Sequence, residues 1–242
     1  MKILLPVITF LTLLLFVQIT FAETGEMTAD EHYLMGNAYS SFGQFDNATI
    51  EYRRAVELKP DFTDAWSNLG FALNRLGRHN EALLASDNAT RINPNDADAW
   101  YNRGYTFGML KRYNEEIDSY RQALSIKPNF SSAWENMGVA YFDQGKYEEA
   151  ISAFRNETAY EPDNAIAWYY LGTVYEKTEQ LPDAIGAFEK AIEISPNLTM
   201  VNNRLKSIRN NLTSNSSENT THAGSETGDS KNILSGILDF LK

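Results

Sequence analysis

Residues 131–164 read SSAWENMGVAYFDQGKYEEAISAFRNETAYEPDN, and two helical periodicities run through them in succession. Trp134, Met137, Gly138 and Tyr141 fall on one face of a first helix, and Tyr147, Ala150, Ile151 and Phe154 on one face of a second. Gly145 breaks the two apart, and Pro162 stops the second, because proline has no N–H to donate and clashes with the preceding turn. Small residues at the Gly138 and Ala150 phases let the two helices approach, and the aromatic side chains fill what remains. One such pair cannot cover its own apolar faces.

The same pattern returns every 34 residues. Ala-Trp recurs at Ala65-Trp66, Ala99-Trp100, Ala133-Trp134 and Ala167-Trp168, with Gly70, Gly104, Gly138 and Gly172 four residues after each Trp. Proline holds its phase at Pro60, Pro94, Pro128, Pro162 and Pro196. An earlier unit has His32 in place of Trp but keeps Gly36, Tyr39, Ala48, Tyr52 and Ala55 in register, so five units occupy 29–62, 63–96, 97–130, 131–164 and 165–198. Stacking buries each pair's apolar face on the next. Beyond the fifth unit, Val201, Leu205, Ile208 and Leu212 make one apolar stripe, which predicts a capping helix over 199–212.

This succession of Trp, Leu, Gly, Tyr, Ala, Phe, Ala and Pro resembles the tetratricopeptide repeat family. The resemblance implies an all-α, right-handed superhelical solenoid of stacked antiparallel helix pairs, a groove lined by the first helices, and a protein or peptide as partner. Three residues depart from the pattern. Arg103 stands where the family has Leu and Glu116 where it has Ala, which suggests either a pair or an arginine stem lying along the surface. Glu157 replaces another Ala and is expected to loosen the stack or lean toward solvent.

By the family's geometry the groove face comprises Tyr33, Asn37, Asn68, Phe71, Arg75, Tyr101, Asn102, Tyr105, Asn136, Phe142, Tyr169 and Tyr170, with Asp30, Asp64 and Asp98 at its edge. Tyrosine supplies apolar area with one hydroxyl, and asparagine can bond either kind of backbone group, so an extended peptide suits this surface. Asn68, Asn102 and Asn136 share one phase, and a structural role between neighbouring helices is the alternative for them. The family's carboxylate clamp needs Lys and Arg beside Asn. Here Tyr33 and Asp98 stand where Lys is wanted and Asn102 where Arg is wanted, so that reading is rejected.

With 32 acidic and 21 basic residues the chain would repel nucleic acid, and with no cysteine it has neither disulfides nor a thiolate site. Its three histidines, His32, His79 and His222, have no ligand spacing, and no phosphate loop or nucleophilic triad is present. Neither a cofactor nor a metal is expected, and the chain is not read as an enzyme. At the amino end, Lys2 is followed by uncharged residues 3–21 and by Ala22, a signal-peptide pattern with cleavage expected after Ala22, leaving residues 23–28 as a lead-in; an uncleaved anchor is the alternative. The expected location is therefore secreted or at the cell surface, with no membrane insertion once the signal is removed.

Asn-x-Ser/Thr sequons stand at Asn47, Asn88, Asn129, Asn156, Asn197, Asn211, Asn215 and Asn219. The first five fall on outward phases of second helices or in turns between units, which predicts a glycosylated outer wall and a clear groove. Their number, with an export signal and no cysteine, fits an archaeal surface protein. Residues 213–231 read as a flexible linker, and 232–242, with Ile233, Leu234, Ile237, Leu238 and Leu241 on one face, as a short amphipathic helix for a partner or for the protein's own groove. The sequence thus describes an exported interaction module or scaffold; the alternatives are a self-associating envelope component and an assembly factor for exported proteins.

Overall fold

A computed structural model of the protein describes residues 26–222, with side chains as far as Thr213. The signal segment and the 223–242 tail lie outside the described residues. The helices are α1 (Ala29–Ser41), α2 (Phe45–Leu58), α3 (Thr63–Arg75), α4 (His79–Ile92), α5 (Ala97–Met109), α6 (Tyr113–Ile126), α7 (Ser131–Asp143), α8 (Tyr147–Tyr160), α9 (Ala165–Lys177), α10 (Leu181–Ile194) and α11 (Thr199–His222). Among the described residues there is no strand. The fold is all-α, built of successive antiparallel helix pairs. It divides into two compact units, Met1–Ala140 and Tyr141–Lys242, the division falling within α7.

Within a pair, a glycine of the first helix sits under an aromatic ring of the second. A β-carbon at Gly36 would lie 2.6 Å from the Tyr52 ring, at Gly104 2.7 Å from Tyr120, and at Gly172 2.7 Å from Phe188. In the second repeat the ring is replaced by Ser86, which would stand 2.9 Å from a β-carbon at Gly70. The covered rings are fully or almost fully buried. In the first unit Tyr52 joins a core that includes Ala48, Ala55, Leu69, Leu73 and Ala82. In the second, Ile185, Phe188 and Ala191 of α10 pack against Val201, Leu205 and Ile208 of α11, which caps the stack.

The two most regular features of the sequence prove to be partners. The indole N–H of Trp66 donates to the Pro60 carbonyl at 2.9 Å, Trp100 to Pro94 at 2.9 Å, Trp134 to Pro128 at 2.8 Å and Trp168 to Pro162 at 2.8 Å. Each bond ties the first helix of one repeat to the end of the helix before it. The turn inside each pair is equally uniform. In the second repeat Gly77 N–H donates to Asn74 and Arg78 N–H to Leu73, a Schellman closure that recurs in all five repeats. It requires a left-handed residue, supplied by Gly43, Gly77 and Gly145 but by Lys111 (φ 58°) and Glu179 (φ 61°) in the third and fifth repeats.

Three expectations are corrected. Arg103 meets Asp87 of α4 at 2.7 Å and donates to Ser119 of α6 at 3.0 Å, with its guanidinium over the Phe107 ring, so the pair it makes is with Asp87. Glu157 does not lean toward solvent: it is fully buried and accepts a 3.2 Å bond from Asn164, the residue whose side chain caps α9. Finally, α11 runs on to His222, past Leu212, because no glycine or proline interrupts 199–222.

Two substitutions test these constraints in opposite directions. Gly104→Ala pushes a methyl into Tyr120 and should cost about 1–3 kcal/mol, read as a lower denaturation midpoint. Lys111→Gly relieves a left-handed lysine and should raise stability by roughly 1 kcal/mol; an unchanged melting curve would show that the turn tolerates its side chain without strain.

Candidate protein-binding site

The amide residues of the first-helix face are engaged with neighbouring side chains. Tyr52 Oη donates to Asn37 Oδ1 at 2.8 Å, and Asn68 Nδ2 donates to the same oxygen at 2.9 Å, joining α1, α2 and α3. Asn102 donates to Ser67 at 3.0 Å, Asn74 to Thr106 at 2.8 Å, and Asn136 to the Tyr101 hydroxyl at 3.0 Å. Asn68, Asn102 and Asn136 therefore bridge successive first helices, the structural alternative the sequence had left open for them. Tyr33 and Tyr101 are likewise wedged between repeats. Tyr33 lies 4.8 Å from Phe62, and Tyr101 lies 4.9 Å from Phe130 and 5.8 Å from Tyr120.

What this ladder leaves open in the first unit is smaller and more apolar. Phe71 of α3 is 40% exposed and meets the edge of Phe45, over whose ring Arg75 places its guanidinium at 5.1 Å. Tyr105 of α5 is half-buried. Leu34 of α1, 44% exposed, and Met109 of α5, 46% exposed, are further exposed apolar residues of first helices and were missed in the sequence. The signal was there: Leu34 occupies the phase of Asn68 and Asn102, and Met109 that of Arg75. Phe45 escaped because it begins a second helix, and only folding brings it beside Phe71.

In the second unit Tyr169 and Tyr170 are half-buried and in ring contact with each other, Tyr170 stacking on Phe154 and Tyr169 reaching Met200 at 3.8 Å. Phe142 leans on Tyr147. These three act mainly as packing. The unit also carries a cleft of about 470 Å³ walled by Arg155 of α8, Trp168 and Tyr175 of α9, and Asp183 and Gly186 of α10. It is open because Gly186 stands at the phase that holds Ile50 and Leu84 in the first two repeats. Burial pushes the Tyr175 hydroxyl above its ordinary pKa, against the pull of Arg155.

The histidines are engaged locally, His32 with Glu51 at 2.7 Å and His79 with Asn74 at 3.1 Å, while the His222 side chain lies outside the described residues. Among the described residues no cluster of His, Cys, Asp and Glu could hold a metal ion, and no helix is long and apolar enough to cross a membrane. Of the sequons, Asn47, Asn129, Asn197 and Asn211 are exposed, and Asn88 and Asn156 are half-buried. The side chains of Asn215 and Asn219 lie outside those described.

Models of the tetratricopeptide repeat match residues 36–77, 63–96, 97–130, 119–152 and 136–198, and the chain belongs to that family. Among solved structures it is similar to YrrB, described as a tetratricopeptide protein with an unusual peptide-binding site, at 24% identity and a TM-score of 0.63 over 78% of this chain and 97% of that one. It is similar to MamA of Desulfovibrio magneticus RS-1, at 19% identity and a TM-score of 0.64 over 70% and 96% of the two chains. The thermophilic protein TTC0263 of Thermus thermophilus gives 19% identity and a TM-score of 0.57 over 75% and 98%. At these identities the likeness is one of fold. No curated protein matches the chain.

The amide ladder makes stability depend on pH at its tyrosine end. Burial raises the Tyr52 pKa to about 12, and the same cause pushes Tyr120 higher still. An unfolded tyrosine ionises near 10, so the contribution of protonated Tyr52 is whole below pH ~10 and falls by about 1.4 kcal/mol per pH unit as the pH climbs toward 12. Circular dichroism and tyrosinate absorbance should therefore change together above pH ~10, and Tyr52→Phe should flatten the slope. Tyr52 ionising at pH ~10 in a chain that stays folded would contradict this.

Proposed function

We infer that the protein is an exported, non-catalytic interaction module that holds a peptide or helix of another surface or secreted protein against the first-helix face of its first unit. The observation that carries this reading is the set Leu34, Phe71, Arg75, Tyr105 and Met109: apolar or amphipathic side chains left on a face whose amides are already satisfied. Exposed aromatics and arginine are the residues that most often dominate protein interfaces. Asp30, Asp64 and Asp98, all exposed, line the start of the same helices and would favour a ligand with basic residues. The peptide-binding site named for YrrB agrees with a peptide as ligand. Export rests on the apolar segment 3–21 behind Lys2 and the small residue Ala22.

The test is capture from the native surface fraction with wild-type protein, with a triple variant carrying Phe71→Ala, Arg75→Ala and Tyr105→Ala, and with Leu84→Ala on the opposite helix layer as control. A partner held by the first and third baits, with affinity reduced more than about 30-fold in the triple variant, supports the reading. Recovery of the protein's own chain by all three would point to self-association instead. A mature form beginning at Glu23 is the accompanying expectation for export.

A further inference from the structure

The eight sequons are alike in sequence, and the fold makes them unlike. Glycosyl transfer needs the asparagine amide and the hydroxyl two residues later presented together to one enzyme cleft. In an α-helix those two side chains diverge by about 200° and do not face each other. Three sequons lie wholly within second helices, and in each the hydroxyl is turned inward. Thr49 is 3% exposed and donates to the Asp46 carbonyl; Thr90, 7% exposed, donates to Ser86; Thr158, 6% exposed, donates to Arg155. All three amide nitrogens are also engaged, Asn47 Nδ2 with Gln44 Oε1 at 3.0 Å, Asn88 Nδ2 with the Leu84 carbonyl at 3.0 Å and Asn156 Nδ2 with the Ser152 carbonyl at 2.9 Å.

Asn129 and Asn197 are placed differently: both asparagines lie in turns rather than in a helix, and the Thr199 hydroxyl, which donates to the Asn197 carbonyl at 3.4 Å, stays exposed. Both occupy the same position of their repeats, in the turn between Pro and the following first helix, and both are exposed. In each the N–H of the hydroxyl residue donates to the asparagine carbonyl, Ser131 to Asn129 at 3.1 Å and Thr199 to Asn197 at 2.8 Å, a tight turn that keeps the asparagine ahead of the helix its hydroxyl residue begins. The residue between is the anchor: Phe130 lies against Tyr101, and Leu198 against the Val201 and Leu205 cluster. Asn129, Thr199 and Asn197 are exposed and Ser131 half-exposed around those anchors.

We propose that Asn129 and Asn197 are N-glycosylation sites that the folded protein presents, whereas Asn47, Asn88 and Asn156 are acceptors only before their helices form. The donor class is an oligosaccharide joined through phosphate to a polyisoprenoid lipid. The asparagine Nδ2 forms a bond to sugar C1, the C1–O bond to the lipid phosphate breaks, the lipid phosphate leaves with the bonding pair, and the amide gives up one proton. In the cell this rests on the export reading, since the transferase faces the exported side. The site assignment itself is tested without it.

The full chain is expressed in a host lacking oligosaccharyl transferase, purified folded, and presented to transferase with lipid-linked oligosaccharide. Nine-residue peptides spanning each helical sequon, too short to hold a helix, serve as the unfolded arm. The expected result is occupancy at Asn129 and Asn197 at least tenfold above that at Asn47, Asn88 and Asn156 in the folded chain, with all three peptides accepted. Ser131→Ala and Thr199→Ala should each abolish one site without changing the melting curve. Equal occupancy of the helical sites in the folded chain, empty sites at Asn129 and Asn197, or peptides that refuse the sugar would each overturn the proposal. Fractionation of the cell reads export independently, so a chain modified in vitro but found in the cytoplasm would cost the functional reading alone.

Discussion

The ring of Tyr52 lies where a β-carbon on Gly36 would have to be, and the same exclusion recurs between Gly104 and Tyr120 and between Gly172 and Phe188. It sets how closely the two helices of a pair approach. A pair that close has no room for a core of its own, so its apolar faces must be covered by the neighbouring pair, and one repeat cannot be stable alone. The Trp–Pro bonds are the consequence at the next level, since each indole finds an acceptor only where the preceding helix has ended. The invariance of the 34-residue spacing follows: one residue more or fewer within a pair would rotate the glycine away from its ring, and one more or fewer between pairs would carry the indole away from its carbonyl.

The stacking also decides which polar groups remain for a ligand. Amides brought into the crowded seam between first helices cannot stay unbonded there without cost: Asn68 donates to Asn37, and Asn102 and Asn136 donate to the hydroxyls of Ser67 and Tyr101. That leaves recognition to groups the ladder cannot use: the edge of Phe71, the guanidinium of Arg75, the half-exposed ring of Tyr105. The binding face is thus what the packing leaves over, and its apolar character results from the amides being engaged in holding the stack together.

The sequons show the same division of labour at single residues. Thr49, Thr90 and Thr158 satisfy their hydroxyls against the backbone of their own helices and fill the interface with neighbouring elements, so their place in an Asn-x-Thr triplet does not make them accessible. Ser131 and Thr199 begin their helices and keep their sequons in the turn. A triplet read along the chain has no direction in space; the helix gives it one.

The sequence by itself determined the repeat, the capping stripe and the all-α class, because these depend on periodicities of 3.6 and 34 that are written in the order of residues. The candidate face was legible only in part. Phe71, Arg75 and Tyr105 could be placed by phase, but phase alone cannot tell an asparagine that faces a ligand from one that faces the next helix, nor show that Phe45 meets Phe71 from another element. The burial of Glu157, the choice of Asp87 by Arg103 and the inward turn of the sequon threonines were decided by tertiary structure, because each depends on which neighbour fills the space beside a side chain, and that neighbour comes from a different part of the chain.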